Sequence, residues 1–141
     1  MNWTIWDKSQ PVPLTLLLDA DPSEKQIATY FNKSHVLQLM QADTIIGVVC
    51  LFPLNKNQLE IMNIVVSSEY RNQGIGKKLL EKAFDYATHK HFSKIIVKTG
   101  NSSIDQLAFY QKMVFGCSIL SQIILLKIIL IKQLSKTALL A

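Results

Sequence analysis

The chain has few of the residues that build disulfide frameworks and metal sites. Its 141 residues include only two cysteines, Cys50 and Cys117, and three histidines. Two cysteines do not make the framework of a small secreted domain, and they lack the paired spacing of a zinc site. We therefore expect no metal. Cys50 lies in an apolar stretch and is expected to be a buried, unreactive thiol.

Long uninterrupted hydrophobic runs are also missing. The longest late apolar stretch, residues 119–131, is broken by Ser121, Gln122 and Lys127, and it is shorter than the roughly 20 residues that a membrane-spanning helix needs. The first 18 residues show no basic start followed by a long apolar stretch, so no secretion signal is expected. We therefore expect a cytoplasmic location and no membrane partner.

Acidic residues are fewer than basic ones, ten against fifteen, which gives a net charge of +5. This modest excess suits a small polyanionic ligand as readily as DNA. The basic residues are not interleaved with aromatic ones in a stripe, so no nucleic-acid partner is expected. The hydrophobic content of 49% excludes a disordered chain, and the length suits one domain covering residues 1–141.

The spacing of apolar residues predicts alternating and clustered secondary-structure elements. Strands are predicted over residues 2–6, 35–40, 44–52, 59–66 and 94–99, and helices over residues 75–87, after a cap at Ser23 or Asp21, and after Ser103. Ile27, Tyr30 and Phe31 form the expected packed face of the first helix. Strands cluster before residue 59 and alternate with helices after it, which favours a mixed α/β layer over a purely parallel sheet.

A glycine turn separates the strand at 59–66 from the helix at 75–87. Residues 71–76 read Arg-Asn-Gln-Gly-Ile-Gly. A helix start leaves about four N–H groups without intrahelical partners and carries roughly half a positive charge. Glycine lets a phosphate approach the backbone without meeting a Cβ. The turn therefore predicts a pyrophosphate site, although glycine also serves such turns for conformational reasons alone.

From about residue 44 to residue 115 the chain resembles the GCN5-related N-acetyltransferase (GNAT) superfamily. The strand Glu-Ile-Met-Asn-Ile-Val-Val at 60–66 and the turn after it match the family's Arg/Gln-x-x-Gly-x-Gly/Ala motif. Residues 108–113, Ala-Phe-Tyr-Gln-Lys-Met, resemble the helix that carries the family's tyrosine. The resemblance implies an α/β fold with a central mixed, largely antiparallel sheet of splayed strands flanked by helices.

The resemblance also implies a reaction, in which acetyl-CoA donates its acetyl group to a primary amine by direct attack. Tyr110 matches the hydroxyl that serves the departing CoA thiolate, which suits a phenol with a reference pKa of about 10 against about 8.5 for a thiol; aromatic core packing is the alternative. Glu60 lies where relatives often keep a carboxylate that takes the proton of the amine; a solvent-facing strand residue is the alternative.

Cofactor contacts are implied in the same way. Backbone amides from about Gln73 to Gly76 would hold the pyrophosphate, and the backbone of Ile64 and Val66 would pair with the pantetheine arm. Asn101 is a cofactor candidate whose alternative role is to cap the next helix, and Asn63 is a further polar residue close to the expected cleft. The expected cofactor-binding residues are Ile64, Val65, Val66, Arg71, Asn72, Gln73, Gly74, Ile75, Gly76, Lys77, Asn101 and Tyr110.

Residues 114–141 depart from the family pattern. Relatives usually continue Tyr-x-x-x-Gly-Phe and then two strands, whereas this chain reads Val-Phe-Gly-Cys-Ser-Ile and then an Ile/Leu/Lys-rich run. One guanine added before codons such as GTT TTC GGA TGT TCA ATA would give Gly-Phe-Arg-Met-Phe-Asn, close to the family continuation. A shifted reading frame is therefore our hypothesis, and a divergent ending is the alternative.

The apolar tail carries expectations of its own. One or two β-like segments are expected within residues 118–132, and exposed apolar residues there would favour a homo-oligomer. The acceptor is expected to be a small-molecule or peptide amine that the sequence does not identify. A CoA-binding protein of the same fold without turnover is the alternative function, because the altered ending would leave the acceptor site incomplete.

Overall fold

A computed structural model describes residues 1–98 and residues 127–131 of the chain. The elements in chain order are β1 (Asn2–Ile5), α1 (Leu14–Ala20), α2 (Glu24–Tyr30), β2 (His35–Gln41), β3 (Thr44–Pro53), β4 (Gln58–Val66), α3 (Ile75–His89), β5 (Lys94–Lys98) and β6 (Lys127–Ile131). Single 3-10 turns lie at Phe31–Lys33 and Ser68–Tyr70. The helix predicted after Ser103 lies outside the described residues.

The strands form one sheet in the order β1-β2-β3-β4-β5-β6. Strands β1 to β4 run antiparallel to one another in sequence, whereas β5 pairs with β4 in parallel and β6 pairs with β5 in parallel. This arrangement confirms the mixed, largely antiparallel sheet. Strand β6 lies inside the 118–132 window in which a β-like segment was expected.

The two N-terminal helices differ in how well the sequence predicted them. For α2, the Ser23 hydroxyl accepts a hydrogen bond from the Gln26 N–H at 3.1 Å, which confirms one of the two proposed caps. Helix α1 was missed. It begins directly after Pro13, has no side-chain cap, and fully buries only Leu17 among its seven residues. A run this short carries too little periodicity to separate a helix from a loop.

The helices cover opposite faces of the sheet. Helix α3 packs on one face, which we call the α3 face, and a Cβ added at Gly47 of β3 would lie 3.0 Å from Leu79 Cδ1. Glycine at this position therefore lets the helix approach the strand closely. Helices α1 and α2 cover the other face, the α1–α2 face, where Leu17, Ile27 and Tyr30 are buried together.

Candidate functional site

The glycine turn presents unpaired amides. Asn72 (φ 63°) and Gly74 (φ 78°) both adopt left-handed backbone conformations, and α3 begins at the next residue, Ile75. Within residues 1–98 and 127–131, the backbone N–H groups of residues 73–77 have no hydrogen-bond acceptor, and the first satisfied N–H is that of Lys78, which donates to the Gly74 carbonyl at 3.2 Å. Such a run of amides at a helix start binds anions.

The space above this turn is open within the part of the chain that the structure describes. A Cβ built on Gly74 would meet no atom of those residues within 4 Å, so the positive φ of the glycine explains its presence better than crowding by them. A diphosphate could therefore approach the amides from this side. Two observations therefore show that the turn fits the pyrophosphate of CoA: its amides are unpaired hydrogen-bond donors, and the described residues leave the approach to them open.

Strand β4 is open along one edge. It pairs with β5 only over residues 58–60, where Glu60 lies opposite Ile96. Ile61 and residues 63–66 remain paired with β3, while in the described part of the chain no strand pairs with the other edge of residues 61–66. Unpaired N–H and C=O groups on a strand edge can accept an extended ligand as an added strand. The open edge ends at Val66, five residues before the glycine turn begins.

A β-bulge lies within the open part of β4. Cys50 pairs with Asn63 and Leu51 pairs with Ile61, so Met62 is an extra residue without an opposite partner on β3. The bulge resets the alternation of side chains. Leu59 and Ile61 belong to the core of the α3 face, which places Glu60 between them on the α1–α2 face. Asn63 then lies on the same face as Glu60.

These two polar side chains are buried. Glu60 is 6% exposed and Asn63 is 5% exposed. The Asn63 carboxamide donates to the Leu17 carbonyl at 3.3 Å and to the Tyr30 hydroxyl at 3.1 Å, and Tyr30 donates onward to Asp21 Oδ2 at 3.3 Å. Burial raises the pKa of the Tyr30 phenol, which keeps its proton available for Asp21. Among the described residues Asn63 Oδ1 has no partner.

The remaining predicted residues of the turn are placed around it. Arg71 Nε donates to the Val66 carbonyl at 3.2 Å, and its guanidinium lies 3.9 Å from Asp19 of α1, with both side chains about half exposed. The Gln73 side chain donates to the Glu69 carbonyl at 3.3 Å. Lys77 is exposed.

The other predicted residues lie in the core or outside the described residues. Ile75 is buried under the start of α3, and Val65 is buried on the α1–α2 face. Ile64 and Val66 are half-buried against the α3 face. Asn101 and Tyr110 lie outside the described residues. The hydrogen-bonded group of Asn63 and Tyr30 was missed as such, although a polar residue inside an apolar strand was a signal.

In residues 1–98 and 127–131, no three His, Cys, Asp or Glu side chains lie close enough together to hold a metal ion. None of the helices described is both long enough and apolar enough to cross a membrane. Cys50 is buried as expected, and burial raises the pKa of its thiol to about 12.

Comparison with known proteins agrees with this geometry. The uncharacterized N-acetyltransferase YvbK of Bacillus subtilis is 36% identical over 97 residues, which cover 69% of this chain and 63% of YvbK. The chain thus spans less than two thirds of the length of that relative.

Solved structures give the same result. A GNAT family acetyltransferase from Elizabethkingia anophelis with acetyl-CoA bound superposes with a TM-score of 0.74 at 37% identity, covering 79% of this chain and 72% of that one. An IAA acetyltransferase from Bacillus cereus gives a TM-score of 0.72 at 44% identity, covering 79% and 73%. The family model for the Acetyltransferase (GNAT) family matches residues 3–115. The chain therefore belongs to the GNAT acetyltransferase family.

Proposed function

We propose that this protein is an N-acetyltransferase that moves the acetyl group of acetyl-CoA to a primary amine. The observation that carries the proposal is the row of unpaired amides at residues 73–77 beside the open edge of β4. Family membership supports it, as does the acetyl-CoA bound to the relative from Elizabethkingia anophelis.

In this proposal the turn holds the diphosphate of CoA. The amides of Gln73, Gly74, Ile75, Gly76 and Lys77 donate to its oxygens, with the helix dipole adding a favourable field. The remaining cofactor contacts are assigned to Ile64, Val65 and Val66 through their backbone, and to Arg71, Asn72, Asn101 and Tyr110.

Arg71 has to leave Asp19 if it is to reach a phosphate. Their ion pair is long, at 3.9 Å, and about half exposed. An exposed pair of this kind contributes about 1 kcal/mol at most. A new ion pair between Arg71 and a more highly charged phosphate would easily offset the loss of the pair with Asp19.

Glu60 is proposed to handle the proton of the amine. An alkylammonium, with a reference pKa of about 10.4 for lysine, is no nucleophile until it is deprotonated. Glu60 lies on the α1–α2 face at the point where β4 parts from β5, and it is buried. The amine nitrogen then bonds to the acetyl carbon as the carbon–sulfur bond breaks, and Tyr110 gives its proton to the departing thiolate.

Broader proposals accompany this function. Residues 1–141 form one acetyltransferase-like domain, of which residues 114–141 depart from the family pattern through a shifted reading frame. The acceptor is a small-molecule or peptide amine. The protein works in the cytoplasm, and its apolar C-terminal segment promotes self-association.

The function is tested by two measurements on the full chain. Calorimetric titration with acetyl-CoA should show saturable binding, and CoA-thiol release across a panel of primary amines should show turnover for at least one of them. Binding without turnover of any amine would instead favour a CoA-binding protein without catalysis. Absence of acetyl-CoA binding would contradict both functions.

A further inference from the structure

We propose that Tyr30 and Asn63 act as positioning residues for the acceptor amine, by fastening helices α1 and α2 to the open half of β4. We call this pair with its carboxylate partner Asp21 the Asp21–Tyr30–Asn63 link. The inference rests on the proposed function and deepens it, because it assigns residues to the acceptor and not to acetyl-CoA.

The acceptor has to approach from the α1–α2 face. The anion-binding amides lie at the start of α3, and α3 covers the opposite face of the sheet. A cofactor that runs from this turn along the edge of β4 leaves the acceptor to approach from the side of α1 and α2, so the position of these two helices shapes that approach. Glu60 lies on the α1–α2 face as well, so the proton acceptor and the approach of the amine coincide.

Helix α1 depends on tertiary contacts for its position. It has seven residues, no side-chain cap and a single fully buried side chain, that of Leu17. Helices of this length are marginal in isolation. The Leu17 carbonyl accepts the Asn63 carboxamide at 3.3 Å and the Asp21 backbone N–H at 3.0 Å. One carbonyl thereby joins the end of α1 to the open part of β4.

Helix α2 is joined to the same point. The Tyr30 hydroxyl accepts from Asn63 and donates to Asp21 Oδ2, while Asp21 Oδ1 accepts the Ser23 backbone N–H at 3.2 Å. Asp21 therefore organises the junction between the helices, and Tyr30 connects that junction to the sheet. The Tyr30 hydroxyl, 33 positions from Asn63 along the chain, and the Leu17 backbone carbonyl, 46 positions away, meet at the Asn63 carboxamide.

Asn63 is an expensive choice for a purely structural position. Its Oδ1 is buried without a partner in the described residues, and a buried polar atom left unpaired is destabilising. Both hydrogens of the same carboxamide are in use, one for each helix. An apolar residue would pack here without that penalty, so we assign the asparagine to holding the two helices in place.

The test compares Tyr30→Phe with Tyr86→Phe. Tyr30→Phe keeps the buried ring and removes only the hydroxyl of the link. Tyr86→Phe removes a hydroxyl that bonds His35 Nδ1 at 2.6 Å under α3, and serves as the matched control. Tyr30→Phe loses both hydrogen bonds of the hydroxyl, to Asn63 and to Asp21. We expect the KM for the amine to rise about fivefold or more, while the Kd for acetyl-CoA stays within twofold. Tyr86→Phe should change neither value.

A second readout does not require turnover. Hydrogen exchange of the backbone amides of α1 and α2 should be faster in Tyr30→Phe than in the unmodified protein, whereas exchange in α3 and β3 should be unchanged. If α1 and α2 exchange at the same rate in Tyr30→Phe as in the unmodified protein, the positioning role is overturned. An unchanged amine KM, or an acetyl-CoA Kd weakened as much as the amine KM, would overturn the assignment to the acceptor. A protein that acetylates no amine would refute the proposed function, and the acceptor assignment with it, while exchange still decides whether the link fastens the helices.

Discussion

The two faces of the sheet differ in what they bury. On the α3 face the described core is apolar, and a 15-residue amphipathic helix covers it. The three buried polar side chains found in residues 1–97 are Gln38, Glu60 and Asn63. All three lie on the α1–α2 face. Gln38 is placed there because its neighbours Leu37 and Leu39 belong to the core of the α3 face.

The helices that cover the two faces also differ, in length. The α1–α2 face is covered by two helices of seven residues each, and it holds two buried oxygens without partners in the described chain, Gln38 Oε1 and Asn63 Oδ1. Unpaired buried polar atoms lower stability. The difference indicates that the α3 face contributes more to stability, whereas the α1–α2 face carries unpaired polar atoms that lower it.

The largest expected effect belongs to Glu60. Replacing Glu60→Gln removes the proposed proton acceptor while keeping the size of the side chain, and general-base catalysis contributes about 10²–10⁴-fold. We expect kcat to fall within that range and the acetyl-CoA Kd to stay within twofold, measured by thiol release and calorimetry. Glu81→Gln on α3 is the control and should leave kcat unchanged. A kcat for Glu60→Gln equal to that of the control would remove the proton role from this residue.

Next in size is the difference in stability between the faces. Leu79 is fully buried against Gly47, and Leu→Ala in such a core costs about 2–5 kcal/mol. Asn63→Leu removes an unpaired oxygen along with two hydrogen bonds, so we expect a change of only about 1 kcal/mol. Urea denaturation of both variants measures the two values. Equal losses of unfolding free energy would contradict the division of the faces.

Gly74→Val is expected to weaken acetyl-CoA binding by tenfold or more. The valine has a disfavoured backbone conformation at φ 78°, and its side chain would fill the space above the amides. Gly47→Ala is the control for a general loss of stability, because its Cβ would crowd the side chains of Leu79 and Ile75 but adds no side chain at residue 74. Calorimetric titration of both variants gives the comparison. Preserved affinity in Gly74→Val would contradict an anion site at this turn.

The smallest effect concerns Cys50 on the α1–α2 face. Because burial raises the pKa of its thiol to about 12, the reactive thiolate is scarce at pH 8. In the folded protein we expect the peptide containing Cys50 to remain unmodified by iodoacetamide at that pH, and to become alkylated after unfolding in urea. Mass spectrometry of the digested protein reads this out. Rapid alkylation in the folded state would show that this face is less tightly covered than the structure describes.

The sequence predicted the features that depend on neighbouring residues, and it did not predict those that depend on contacts between residues far apart in the chain. The glycine turn and α3 were predicted because a left-handed glycine and a four-residue apolar period are local features. The bulge at Met62 was not predicted, since it is defined only by the register between β3 and β4. The contacts of Asn63 join it to Leu17 and Tyr30 across dozens of residues, and no local pattern encodes them.

The family resemblance supplied what local patterns lacked. It led to the sheet with splayed strands, and the structure confirms the mixed sheet and shows that β4 and β5 pair over only three residues. The roles of Glu60, Asn101 and Tyr110 remain predictions. Helix α1 escaped both approaches, because it follows two prolines and is held by tertiary contacts more than by its own sequence.

The central claim is that the amides of residues 73–77 bind the diphosphate of CoA. Backbone amide chemical shifts, followed by NMR while acetyl-CoA is added to the full chain, test it directly. We predict that the largest shifts occur at residues 73–77 and along residues 61–66, with small shifts in β1 and β2. Saturable binding that leaves the shifts of residues 73–77 unchanged would contradict the claim.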